Sequence, residues 1–264
     1  GFPTGWTAQP KQIPVTLGPR SETESRLTVN VPSTDPPQSP LRVILTTPQG
    51  SAVTEAKIIA PFWSVPEVRG IQVDGKFDDW PGKAWLPEWL LGVRGERVPV
   101  RLALGYGRSG VFLAVQVENH DGQVTDPRAF WTQTCLELFV DTLADDTPRK
   151  AYQVTDHQFW FCPLLDAGKV FAGRWKRGEE IHETQYNLQD VRGVSRKTEN
   201  GWAMEVFLPG SRLHSWDSTK GNNLGANLNL TLPGSAGRTE VYWPIAKSDN
   251  APDRPDLWGR LRLD

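Results

Sequence analysis

A chain of 264 residues can hold one large domain or two modest ones, and 38% hydrophobic with 23% charged residues marks it as globular. The formal net charge of −2 leaves no electrostatic footprint for nucleic acid or an anionic membrane. No apolar run approaches the roughly 20 residues of a membrane-spanning helix.

Residues 1–66 stand apart in composition. They hold eleven of the 22 prolines, and between the proline breaks lie four strand-like runs, Gln12–Leu17, Arg26–Val31, Leu41–Thr47 and Val53–Ala60. Short strands between turn signals predict a small immunoglobulin-like β module over 1–66, with a supporting rather than a chemical role. Four strands are few for an independent sandwich. Pro61 to Gly70 reads as the boundary, which puts the second domain at 67–264.

The second domain opens with Ile71–Trp80, a strand and an Asp-Gly turn. Val98–Leu104 and Val111–Val117 alternate and are joined by Gly105–Gly110. That joint matches G-x-G-x-x-G, but a nucleotide site needs a helix after it; here a strand follows, so the match is a hairpin turn. The central feature is a second hairpin, Cys135–Asp141 and Tyr152–Cys162 about a polar turn from Thr142 to Lys150. Side chains on a strand alternate between faces. Leu136, Leu138 and Val140, with Phe159 and Phe161 on the return strand, predict the core side. Beyond it come a charged loop, which includes the basic run Arg174–Arg177 with Glu179 and Glu180 behind it, and then strands near Tyr186–Lys197, Gly201–Pro209, Leu224–Leu232 and Trp258–Leu263. Few segments keep a helical period, so the chain is all-β, with two antiparallel sheets in the second domain.

The other face of the central hairpin carries Cys135, Glu137, Gln158, Trp160 and Cys162, with Trp131 at its mouth. Asn227, Asn229 and Thr231 fall on the same side of the later strand. Rings that stack on sugar C–H faces, beside an acid and amides that bond hydroxyls, suit a polyhydroxylated ligand. Twelve tryptophans against four tyrosines also predict that some indoles lie at a binding surface. The competing expectation is a hydrophobic interface with the N-terminal module for Trp131 and Trp160 and a simple ion pair for Glu137, for example with Arg101. If Glu137 lies opposite Trp160, Cys135 falls opposite Cys162, about 4.5–5.5 Å apart, so the two form either a disulfide or a pair of buried thiols. A bridge would suit an oxidising, extracellular setting.

These landmarks resemble the family-9 carbohydrate-binding modules. The resemblance is carried by Val73–Trp80, Trp131, Glu137 within Cys135–Asp141, Gln158-Phe159, Gly201–Pro209, Leu224–Asn229 and Gly259–Leu263, and it spans Ile71 to the end. It implies a jelly-roll-like antiparallel β-sandwich, non-catalytic, attached to an extracellular or cell-surface polysaccharide-degrading enzyme and often holding structural calcium. Trp131 then matches the first of two tryptophans that clamp a sugar, Glu137 an acid that bonds hydroxyls, and Asn229 a position where the family can place a Gln. Two positions depart. A sugar-binding Arg is replaced by Trp160, and the loop before the last strand, Asp249–Pro255, lacks the second clamp tryptophan; Trp160 or Trp175 is the candidate replacement. Loss of sugar binding, leaving a structural accessory domain, is the alternative. The chain opens on Gly1 and its one Met is Met204, which reads as a processed or excised segment whose partners are a carbohydrate and a catalytic domain elsewhere in the parent protein.

For calcium, Asp74, Asp78 and Asp79 cluster in one turn and Asp141, Asp145 and Asp146 in another, as oxygen-rich Ca²⁺ loops require. Turn-capping is the commoner use of such aspartates. The four histidines show no zinc spacing. Catalysis finds little support: Glu137 and Glu205 are a conceivable glycosidase pair, but nothing places them together, and there is no nucleophile elbow. A haem-binding sandwich would need Met204 as a ligand, yet Met204 shares its strand face with Trp202, Val206 and Leu208 and reads as core.

Overall fold

The computed structural model describes residues 62–143, 151–175, 183–235 and 237–264, together with the backbone of strands at 7–9, 28–30, 41–47 and 50–56. The chain divides into two compact units, Gly1–Ile58 and Ile59–Asp264. In the first, β1 (Thr7–Gln9) pairs antiparallel with β2 (Thr28–Asn30), and β3 (Leu41–Thr47) with β4 (Gly50–Ala56). The predicted run Gln12–Leu17 lies outside the described residues.

The second unit begins earlier than the proline pattern implies. Strand β5 (Phe62–Val65) runs parallel to the last strand, β17 (Gly259–Leu263), within the larger sheet. Trp63 and Val65 sit in that unit's core, so the prolines at 61 and 66 bracket a strand rather than a linker.

The unit is a two-sheet sandwich. The remaining strands are β6 (Gly92–Arg94), β7 (Val100–Gly107), β8 (Gly110–Glu118), β9 (Cys135–Asp141), β10 (Asp156–Leu164), β11 (Lys169–Trp175), β12 (Gln185–Tyr186), β13 (Arg192–Thr198), β14 (Gly201–Pro209), β15 (Asn223–Gly234) and β16 (Gly237–Trp243). The larger sheet runs β12-β11-β10-β9-β15-β16-β6. The long β15 pairs along one edge with β9, and along the other first with β17 and then with β16. The smaller sheet runs β13-β14-β8-β7.

The alternation read from the central hairpin sets the core. Leu136, Leu138 and Val140 of β9, Phe159 and Phe161 of β10, and Leu224, Leu228, Leu230 and Leu232 of β15 face inward. They meet Leu102, Leu104, Leu113, Val115, Val117, Trp202, Met204, Val206 and Leu208 of the smaller sheet. Burying each large side chain stabilises by about 1.5–3 kcal/mol relative to leaving it exposed, so this seam dominates the fold. Met204 is part of it and fully buried. Strand β11 falls in what reads as a charged loop: its side chains alternate poorly, and most are only half-buried at the side of the sheet.

The smaller sheet has its outer face covered. Gly75, at φ +82°, shapes a left-handed turn after Asp74. The Glu205 side chain of β14 accepts hydrogen bonds from the backbone N–H of Asp74 (3.0 Å) and Gly75 (2.5 Å) and from Trp80 Nε1 (2.5 Å). Burial is the largest influence on this carboxyl and pushes its pKa up, against those three donors. Trp80 and Ala84 then pack on Ala103 and Ala114, with Phe77 and Trp85 alongside, and the Arg101 guanidinium lies 4.1 Å over Trp85. Arg101 is therefore not a partner of Glu137.

Candidate functional site

The outer face of the larger sheet carries the predicted site residues in register. Glu137 lies opposite Trp160 on one side and Asn229 on the other, and Trp160 lies opposite Gly173 of β11. The strand reading thus brings Glu137, Gln158, Trp160 and Asn229 together. It does not leave them open: Glu137 and Trp160 are 0% exposed, Gln158 and Asn229 1%. The expectation of a free aromatic and acidic wall is corrected for these four residues.

Two segments fold back over the face. The first is the 3-10 turn Pro127–Thr132, started by Pro127 and capped by Asp126, whose carboxylate accepts from Arg128 N–H at 2.9 Å. The Gln133 side-chain oxygen accepts from Thr125 N–H (2.8 Å) and Thr125 Oγ1 (3.1 Å) and ties down the approach to this turn. The turn lowers Phe130 onto Trp160, ring to ring at 4.5 Å and 15°. Trp160 Nε1 donates to the Pro127 carbonyl at 3.1 Å. Beneath the indole, Gly173 is required: a Cβ there would lie 2.0 Å from Trp160 Cζ2. The stacking position a sugar ring would need over Trp160 is filled by Phe130.

The second cover is the segment 245–249 after β16. Asn227 Oδ1 accepts from Ile245 N–H (3.1 Å), and Asn229 Oδ1 from Lys247 N–H (2.7 Å). Both amide groups donate to the Ile245 carbonyl, at 3.2 and 3.3 Å. Both side chains hold backbone rather than face solvent. The segment delivers Lys247, whose ammonium donates to Glu137 Oε2 and lies 5.2 Å from the Phe130 ring centre. Glu137 Oε1 accepts from Gln158 Nε2 at 2.7 Å. Ser248 donates to Glu240 Oε2 through Oγ (2.8 Å), and Arg94 pairs with Asp249 (2.8 Å), fastening the far end.

Trp131 remains at the surface, 44% exposed. It stands edge-on to Phe130 (5.3 Å) and to half-buried Trp175 (5.8 Å, 67°). Tyr186, 45% exposed, meets Trp160 edge-on at 5.7 Å, and the Arg128 guanidinium lies 5.9 Å from its ring centre. Of the ten tryptophans whose side chains are described, six are buried, three are half-buried and Trp131 alone is exposed. The tryptophan surplus therefore serves the interior more than any surface. Lys247, Phe130, Tyr186 and Arg128 were not found from sequence; a lysine in a turn carries no signal that it will reach an acid 110 residues away.

The cysteines are adjacent, as the register requires, but both are free buried thiols and not a disulfide. Burial, and then the contact with Cys162, push the Cys135 thiol well above its usual pKa. Three of the aspartates singled out for calcium accept backbone N–H groups. Asp74 Oδ1 accepts from Lys76 N–H (2.9 Å) and Asp141 Oδ1 from Leu143 N–H (3.0 Å), the bonds of turn caps, and Asp79 Oδ2 accepts from Gln72 N–H (2.7 Å) across the loop. Among the described residues no three acid, His or Cys side chains gather at one point; Asp145 and Asp146 lie outside those residues. Glu137 and Glu205 project from the outer faces of different sheets, with the core between them, and do not form a catalytic pair.

No protein-family model matches the chain, and no curated relative does. Among solved structures, a carbohydrate binding module family 9 from Caldicellulosiruptor kristjanssonii in complex with cellotriose matches at 16% identity and a TM-score of 0.55. The match covers 77% of this chain and 93% of that one. The same module in complex with glucose matches at 15% identity and a TM-score of 0.55, over 77% of this chain and 95% of its own. The fold is that of a family-9 carbohydrate-binding module. Within that fold, Glu137, Gln158 and Asn229 form a closed polar layer, and Trp131 with Trp175 forms the open aromatic one.

Proposed function

We propose that the second unit is a non-catalytic carbohydrate-binding module whose sugar contact is the surface made by Trp131 and Trp175, with Tyr186 and Arg128 beside it. The observation that carries this reading is the exposure of Trp131, which packs edge-on against Phe130 and Trp175 while the other described indoles of the unit are buried or half-buried. A ring packed against its neighbours loses less side-chain freedom when it stacks on a sugar face. The family-9 fold and the saccharides in its two structural neighbours support the ligand class. Glu137, Gln158 and Asn229 act one layer down, holding Lys247 and the covering segment in place. Affinity at such a shallow site is weak, since it orders a flexible sugar while excluding little water. On this reading the chain is an accessory part of an extracellular or cell-surface protein acting on polysaccharide, with its catalytic domain elsewhere in the parent chain.

One set of observations favours a second reading, a structural accessory domain with no sugar. Phe130 occupies the stacking face of Trp160, and Lys247 occupies the acid. Titration of gluco-, xylo-, galacto- and manno-configured oligosaccharides against intrinsic fluorescence separates the two. A saturable change that disappears in Trp131→Ala supports binding; silence with every sugar leaves the structural role.

A further inference from the structure

Away from the aromatic surface, the second unit has a groove of about 720 Å³. That is within the ~300–1,000 Å³ typical of small-molecule sites and larger than one sugar ring needs. Its walls are three chain segments, 120–125, the end of β10 with the turn 165–167, and the β13–β14 turn at 197–201. Nothing in the sequence reading or the site above uses it. We infer that this groove is a second saccharide subsite, which takes the continuation of an oligosaccharide chain whose first ring stacks on Trp131. The inference rests on the carbohydrate reading of the aromatic surface.

Three observations converge on it. First, the groove and the aromatic surface share one segment. Val124, in the groove wall, packs on the cluster of Phe130 and Trp160. Thr125, also in the wall, bonds Gln133, two residues beyond Trp131. Second, the groove is pre-formed. His120 accepts from Gly122 N–H at Nδ1 (3.0 Å) and bonds the Pro233 carbonyl through Nε2 (2.8 Å). Gly122, at φ +68°, rests on the buried Trp202 ring, where a Cβ would come within 2.6 Å of Cδ1. No ordering of this wall is needed on binding, which removes one of the costs of association.

Third, its chemistry selects the ligand. The groove offers the exposed side chains of Gln123 and Asn200, amides that can both donate and accept, and the Thr125 hydroxyl, which donates to Gln133 and keeps its acceptor lone pairs. Its charges nearly cancel: Lys197 donates to Asp166 Oδ1 at 2.7 Å across two walls, leaving Asp121 as the remaining charge. A phosphate or nucleic acid would meet a single, already paired cation, so an uncharged polyhydroxylated chain is the better match. No tryptophan, tyrosine or phenylalanine lines the groove, so it extends a bound chain by hydrogen bonding instead of anchoring one by stacking.

The test uses the full chain with glucose, cellobiose, cellotriose and cellohexaose, by calorimetry. If the groove extends the site, affinity rises with chain length, by about tenfold from cellobiose to cellohexaose, a gain of about 1.4 kcal/mol. Asn200→Ala combined with Lys197→Ala lowers the cellohexaose affinity to that of cellobiose. Both side chains are exposed, so the fold survives their loss, and a superimposable circular dichroism melt confirms it. Equal affinity for all lengths overturns the inference while leaving the Trp131 reading intact, and so does a cellohexaose affinity that ignores the double substitution. Length-dependent binding that persists in Trp131→Ala overturns the inference together with the stacking reading, since the chain would then be held without a ring on Trp131. No binding of any saccharide removes both.

Discussion

Lys247 is the most informative side chain to change, because it closes the site in which Glu137 lies. Lys247→Met keeps most of the stem length and removes the ammonium. Glu137, 0% exposed, is then left with Gln158 alone. Lys247's own side chain is only 14% exposed, so water does not replace the lost partner freely. Breaking a buried pair by removing one partner costs about 3–5 kcal/mol, whereas an exposed pair is worth about 0–1 kcal/mol. For a unit of this size each kcal/mol moves the melting temperature by about 2–4 °C, so a drop of about 6–20 °C is expected. Removing both charges, in Glu137→Gln with Lys247→Met, recovers most of the loss, since no unpaired buried charge is left. Urea unfolding at neutral pH, followed by tryptophan fluorescence, gives the difference from the midpoint at constant slope. A loss below about 1 kcal/mol, or a double variant no better than Lys247→Met, would refute the claim that a buried pair closes this face.

Gly173→Val places a side chain where Trp160 lies, so overpacking of about 1–3 kcal/mol is expected in the same unfolding assay; a neutral result would mean the indole is not seated there. The raised pKa of Glu205 makes a signed prediction. The folded state holds this proton more tightly than the unfolded state, so the contribution is full below the ordinary glutamate value of 4.5 and falls as pH rises from there through the raised folded pKa. Glu205→Gln removes that downward component from the stability-versus-pH curve, and a curve of unchanged shape would contradict it. Asp74 and Asp79 already accept backbone N–H groups, so chelation is expected to leave the melting curve in place; a drop of several degrees in EDTA, reversed by Ca²⁺, would show a held ion.

The sandwich was legible in the sequence because its hairpins obey a period of two. The Glu137–Trp160 register and the inward row of Leu136, Leu138, Val140, Phe159 and Phe161 follow directly from alternation. What alternation cannot convey is what lies on top of a face. A period-two pattern marks Glu137, Gln158 and Trp160 as pointing away from the core, which is correct, but says nothing of whether water is there. The covers are short 3-10 segments, Pro127–Thr132 and Lys247–Asp249, with no periodicity to announce them. Their anchors, Asn229 to Lys247 and Gln133 to Thr125, depend on three-dimensional proximity. The start of the second unit was misplaced for a related reason: β5 is four residues long, and prolines on either side disguise it as a linker.

The most direct test of the sugar contact follows the indole N–H resonances of the ¹⁵N-labelled chain during titration with cellohexaose, each assigned by a Trp→Phe variant. The Trp131 and Trp175 signals move saturably, while that of Trp160, bonded to the Pro127 carbonyl beneath Phe130, stays where it is. Movement of the Trp160 signal with Trp131 silent would contradict the account, since the ligand would then have displaced the cover and reached the layer of Glu137 and Gln158.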